Sequence, residues 1–100
     1  MRYMYHATPL DNLGGILSEG IHPGSDGLVY MCETPEDSLK FLYIRGCRNI
    51  LVCKIKIYKR DECNISETFD HSERFFKCRA FGYMGHIESD KITSYTKYEI

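Results

Sequence analysis

The chain has almost no net charge, no Cys-x-x-Cys pair, no apolar run near the thickness of a bilayer and no low-complexity segment. Each absence removes a class of function. With 13 Lys plus Arg against 14 Asp plus Glu, the formal net charge is −1, so the molecule as a whole is not suited to attract nucleic acid or an acidic membrane. No stretch approaches the about 20 apolar residues of a membrane helix. The opening Met1-Arg2-Tyr3-Met4-Tyr5-His6 lacks the apolar centre of a signal peptide. The five cysteines, at 32, 47, 53, 63 and 78, cannot all pair with one another, and Cys32, Cys53 and Cys78 fall inside apolar, strand-like runs. Reduced thiols in a cytoplasmic protein are what that pattern implies. A zinc site drawn from Cys47, Cys63, His71 and Cys78 matches no tetrahedral spacing, so no metal is expected.

What is present is 100 residues, 43% hydrophobic and 27% charged, the size and balance of one domain, residues 1–100, with one core. Thr8-Pro9-Leu10-Asp11 predicts a helix start, with Thr8 as cap, Pro9 in the first turn and Asp11 near the exposed amides. Leu10, Leu13, Ile16 and Leu17 then form one buried stripe, and Gly20 ends the helix with Ile21 folded back. After the loop His22–Gly27, Leu28 to Cys32 reads as a buried strand. Thr34-Pro35-Glu36-Asp37 repeats the capping chemistry and opens a second helix to about Ile44, with Leu39, Leu42 and Tyr43 available for burial; Gly46 ends it.

Ile50 to Tyr58 begins wholly apolar and then alternates, which predicts the most central strand, half exposed at its far end. Lys59 to Ser66 is polar and irregular, and the segment 69–76 reads as a loop or a helical turn. Arg79 to Ile87 predicts a strand bent at its glycines, and Thr93 to Ile100 a last, alternating strand. Two early helices with about five or six strands define an α+β fold on a bent or split sheet.

These residues resemble a known family. Tyr5-His6-Ala7-Thr8, the helix Asn12-Leu13-x-x-Ile16-Leu17-x-x-Gly20-Ile21, Leu28-Val29-Tyr30-Met31 and the helix opening Thr34-Pro35-Glu36-Asp37 are similar to the front half of ADP-ribosyltransferase-like domains. RNA 2′-phosphotransferases and several bacterial and phage toxins share that fold. Gly85-His86-Ile87 followed by Ile92 resembles the hinge between its last strands. The resemblance implies a split β-sheet and NAD+ chemistry without a metal. His6 falls where the family's histidine orients the nicotinamide-side ribose, flanked by Ala7 and Thr8. Tyr30 falls where its tyrosine stacks on the nicotinamide.

Physical chemistry is compatible with those roles. Breaking the ribose–nicotinamide bond builds positive charge on the sugar, which calls for a clamp, an aromatic wall and a negative stabiliser. A neutral imidazole can hold a ribose hydroxyl, and a tyrosine face suits a cationic pyridinium. Where the family keeps its glutamate the chain reads Arg79-Ala80-Phe81-Gly82-Tyr83. Asp70 and His71 together, or Glu73, are the substitutes nearest before it, with Glu88 after it. Asp70 and His71 also read as a capped turn and Glu73 as a surface charge. His86 reads as structural and His22 as solvent-facing.

Three functions follow as expectations. The first is ADP-ribosyl transfer from NAD+ to a protein or nucleic-acid acceptor. The second is non-catalytic binding of an ADP-ribose nucleotide. The third is 2′-phosphotransfer on RNA, for which Arg74 and Arg79 are the only arginines in the region. The basic run Lys54, Lys56, Lys59 and Arg60 is either a solvated face or a surface that steers nucleic acid or a phosphorylated substrate.

Overall fold

A computed structural model describes residues 1–68 and 79–100 of the chain. They form an α+β domain around one antiparallel sheet of six strands in the order β4-β5-β2-β1-β3-β6. The strands are β1 (Arg2–Pro9), β2 (Leu28–Cys32), β3 (Asn49–Ile57), β4 (Ile65–Thr68), β5 (Ala80–Met84) and β6 (Ile92–Glu99); the helices are α1 (Leu13–Glu19) and α2 (Pro35–Tyr43). The segment 69–76, with Asp70, His71 and Glu73, lies outside the described residues, as do Arg74 and Cys78. No helix among the described residues is long and apolar enough to cross a membrane.

The first helix begins later than the Thr8-Pro9 signal predicts. Strand β1 stays registered with β3 through Thr8 opposite Leu51 and Pro9 opposite Ile50. A 3₁₀ turn over Leu10–Asn12 then precedes α1. Thr8 therefore caps nothing; its hydroxyl accepts a hydrogen bond from Asn12 Nδ2 at 2.8 Å. Eight ladder positions outweigh one capping bond worth about 1 kcal/mol. With only two turns, α1 buries Ile16 and leaves Leu17 at 54% exposure. The second cap forms as expected: Thr34 Oγ1 accepts from the Asp37 amide at 3.1 Å. Tyr43, expected inside, is exposed and carries the Arg48 guanidinium over its ring at 4.4 Å. Ser38 is the buried residue of that helix.

The main core lies between α1 and one sheet face, where Met4, Val29, Met31, Leu51, Cys53, Ile55, Phe81 and Tyr83 meet Ile16, Ile21 and Ile87. Strand β3 is buried from Ile50 to Cys53 but is second from an edge; β1 and β2 hold the centre. Burial pushes the Cys53 thiol up to about 12, and Cys32, Cys47, Cys53 and Cys63 are all reduced. The polar stretch after β3 is a 3₁₀ turn, Lys59–Asn64, leading into β4. The strand expected over Arg79–Ile87 stops at Met84; Gly85 turns at φ 102°, and Ile87 makes an isolated bridge to Ile21.

The sheet is narrowest at its middle. β1 and β3 share eight registered pairs and β2 and β5 share five. β1 and β2 share only Tyr5 opposite Cys32. Toward His6–Pro9 on one strand and Leu28–Met31 on the other there is no further register. That gap positions the candidate site.

Candidate functional site

His6 stands where β1 and β2 part. A regular ladder would satisfy the Tyr30 carbonyl with a backbone amide. Here the His6 Nδ1–H donates to the Tyr30 carbonyl at 2.7 Å. A carbonyl only accepts, so the proton sits on Nδ1, and the neutral ring keeps its lone pair on Nε2. Desolvation in the gap holds the imidazole below the usual histidine range, with the Tyr30 carbonyl bond pulling weakly the other way. The result is a half-buried, neutral histidine with one nitrogen fixed and the other set to accept from a hydroxyl.

Two cavities open on either side of this residue, and His6 lines both. The first, about 310 Å³, lies toward α2 and takes in Ala7, Tyr30, Cys32, Phe41 and Arg45. The second, about 460 Å³, lies toward α1 and takes in Thr8, Asp11, Asn12, Glu19 and His22. Volumes of this size are those of small-ligand sites, which are typically lined by apolar groups with a few fixed polar ones. The first cavity is mainly aromatic and aliphatic with a cation, Arg45. The second carries two carboxylates. Of the cofactor-contacting residues expected from sequence, His6, Ala7 and Tyr30 line the first cavity and His6 and Thr8 the second, with His6 the residue common to both.

Tyr30 is 42% exposed on a strand whose neighbours Val29 and Met31 are in the core. Its phenol donates to Asp26 Oδ2. Asp26 Oδ1 also accepts from the Leu28 amide at 3.0 Å, an Asx turn that fixes the carboxylate. The Tyr30 phenol and the Leu28 amide hold the Asp26 carboxyl below the ordinary aspartate range. Asp26 was not among the residues singled out from sequence. Its signal was present: an acid four residues before a strand tyrosine, in a turn that brings the two together.

Asp70, His71 and Glu73, expected as catalytic, lie outside the described residues. Among the described residues no carboxylate lines the first cavity, though Asp26 sits on the Tyr30 phenol. Glu33 and Glu67 are engaged by Arg79, at 3.8 and 2.7 Å. His22 and His86, read separately as solvent-facing and structural, sit together with ring centroids 4.7 Å apart. Glu19 links them: its carboxylate is 3.5 Å from His22 Nε2, and its backbone carbonyl accepts from His86 Nε2. No group of three or more His, Cys, Asp or Glu among the described residues could hold a metal ion.

One stability consequence arises here. His6 is neutral in the fold and titrates near 6.5 when unfolded. The unfolded chain therefore binds more protons just below that value. Stability should decline as pH falls from about 6.5 toward the lower folded value, and His6→Ala should remove that decline; thermal unfolding across the range checks this.

Compared with known proteins, the chain matches no protein-family model and no curated protein.

Proposed function

We propose that the chain binds NAD+, or a related ADP-ribose nucleotide, in the cleft at His6 and transfers ADP-ribose from it to a macromolecular acceptor on an ADP-ribosyltransferase-like split sheet. The observation that carries this reading is the His6 wedge. A histidine locked by a backbone carbonyl at the parting of two strands, between two cavities, is a device for gripping one hydroxyl in the middle of an elongated ligand. The single registered pair between β1 and β2 supports the split-sheet reading.

In this reading His6 Nε2 accepts from a hydroxyl of the nicotinamide-side ribose and orients the bond to be broken. Tyr30, tethered by Asp26, presents a ring to the nicotinamide. Asp70, His71 or Glu73 would stabilise the cationic sugar or take the acceptor's proton. Incubation of folded protein with labelled NAD+ and cell lysate tests the activity: label transfer and nicotinamide release are expected, and neither occurring would refute transfer.

A second reading has its own support. No carboxylate lines the first cavity among the described residues, and Asp26 beside Tyr30 is taken up by the phenol and the Leu28 amide, which favours a module that holds an ADP-ribose nucleotide without cleaving it. Calorimetric binding without turnover would select it. A 2′-phosphotransferase-like activity on RNA would instead release ADP-ribose cyclic phosphate from 2′-phosphorylated RNA.

The histidine also sets a pH dependence. Because desolvation depresses its pKa, Nε2 stays an acceptor below the usual histidine range. Nucleotide affinity should stay level from alkaline pH down through about 6.5 and fall only in more acid solution. Calorimetric titration at stepped pH reads this, and an affinity falling at the ordinary histidine pKa would contradict it.

A further inference from the structure

One strip of the sheet contributes no residue to the nucleotide cleft, although Ala7, Tyr30 and Cys32, which line the first cavity, lie farther along the same face. The β1–β3 register sets Tyr3 opposite Lys56 and Tyr5 opposite Lys54. Paired residues share a face, and this one is opposite that of Met4, Cys53 and Ile55 in the main core. Tyr58, in extended backbone just past β3, continues the row. The residues of β6 on this face, opposite Lys54, Val52 and Ile50, are Ser94, Thr96 and Tyr98. Strands β1, β3 and β6 therefore place no carboxylate on it.

Rings and cations are interleaved. Lys54 Nζ lies 4.4 Å from the Tyr3 ring centroid. Lys56 Nζ and the Arg60 guanidinium lie 5.2 and 4.9 Å from that of Tyr58. Tyr3 is 38% exposed. A molecule of net charge −1 has thus gathered three cations onto a strip where no strand acid opposes them.

We propose that this strip is a docking surface for single-stranded nucleic acid. Complementarity carries the assignment. A single strand offers phosphates at intervals and a flat ring with every residue, and proteins that bind it combine a cationic track with aromatic platforms. An acidic peptide would meet the cations but leave the tyrosines unused. The proposal is independent of the nucleotide reading, since no residue of the strip lines the His6 cleft.

Fluorescence anisotropy with labelled oligothymidylate, without NAD+, tests it. Three phosphate contacts on a single strand give a slope of log affinity against log salt near about −2. Lys54→Gln with Lys56→Gln should weaken binding about tenfold or more and make that slope shallower by about 1.4. Tyr3→Ala should weaken binding about tenfold, the size of one lost stacking contact, and leave the salt slope unchanged. Tyr3 is outside the core, so that variant should keep the wild-type melting temperature and decide the matter even if the lysine variant folds poorly. No binding by the wild type, Tyr3→Ala binding at wild-type strength, or duplex DNA or an acidic peptide binding as tightly as the single strand would each overturn the proposal.

Discussion

Gly20→Ala is expected to destabilise the fold by about 3–5 kcal/mol, from strain of about 1–3 kcal/mol and the loss of two bonds worth about 1 kcal/mol each. Gly20 has φ 79° and ψ −158°, a region open in practice only to glycine. A Cβ there would lie 2.1 Å from the Ile87 carbonyl oxygen and 2.9 Å from the Ser89 amide nitrogen. Both are backbone atoms, so no side-chain rotation relieves the overlap. The chain would have to part where Ile21 N donates to Ile87 O at 2.8 Å and Ile87 N to Ile21 O at 2.9 Å. Those bonds tie the end of α1 to the approach to β6, and Ile21 and Ile87 are both core residues. Gly27 separates the causes: its φ is 81°, but nothing lies within 4 Å of an added Cβ. Gly27→Ala should cost only the strain, about 1–2 kcal/mol. Denaturant midpoints of the two variants check both, and equal losses would show that the close approach contributes nothing.

Asp61→Ala is the second large effect, with an expected loss of about 3–5 kcal/mol. Asp61 is 4% exposed. Its Oδ1 accepts from Lys91 Nζ at 2.8 Å and the Tyr83 hydroxyl at 3.3 Å, and its Oδ2 from the Tyr58 amide at 3.0 Å. Truncation leaves a poorly solvated ammonium, a phenol and an amide without their acceptor. Changing Lys91 to Met as well should recover part of the loss, because the unpaired charge goes with it. Desolvation raises the Asp61 carboxyl, but the Lys91, Tyr58 and Tyr83 contacts outweigh it and hold it below the ordinary aspartate range. Its stabilisation is therefore full above the unfolded pKa of about 3.9 and lost as pH falls through that value toward the lower folded one. Acid unfolding should be correspondingly flatter in Asp61→Ala. A variant as stable as the wild type would show the cluster to be dispensable.

Elements encoded by local chemistry were readable from the sequence, and those encoded by pairing were not. Thr34-Pro35-Glu36-Asp37 opens α2 as its residues demand. Thr8-Pro9-Leu10-Asp11 carries the same signal, yet β1 continues through it, because Leu51 and Ile50 on a distant strand fix its register. The apolar run of β3 revealed burial but not position: a strand covered by α2 on one face and by the α1 core on the other reads like a central one, though it lies second from the edge. The α+β class and five of the six strands were within reach; β4, in a stretch read as polar and irregular, was not, and the single registered pair between β1 and β2 has no sequence signature. At the candidate site, the sequence singled out His6 and Tyr30 as candidates. The bond that makes His6 a directed acceptor runs to a backbone carbonyl, which no side-chain pattern reveals. The Asp26 tether depends on a turn geometry visible only in three dimensions.

The central claim is that His6 grips a nucleotide in the cleft between β1 and β2. Calorimetric titration of NAD+ and ADP-ribose into the wild-type protein and into His6→Ala, at neutral pH, tests it most directly. The expected result is micromolar binding by the wild type and affinity at least tenfold weaker in the variant, the value of one well-placed hydrogen bond of about 1.4 kcal/mol. Folded wild-type protein that binds neither ligand, or a variant that binds as tightly as the wild type, would contradict it.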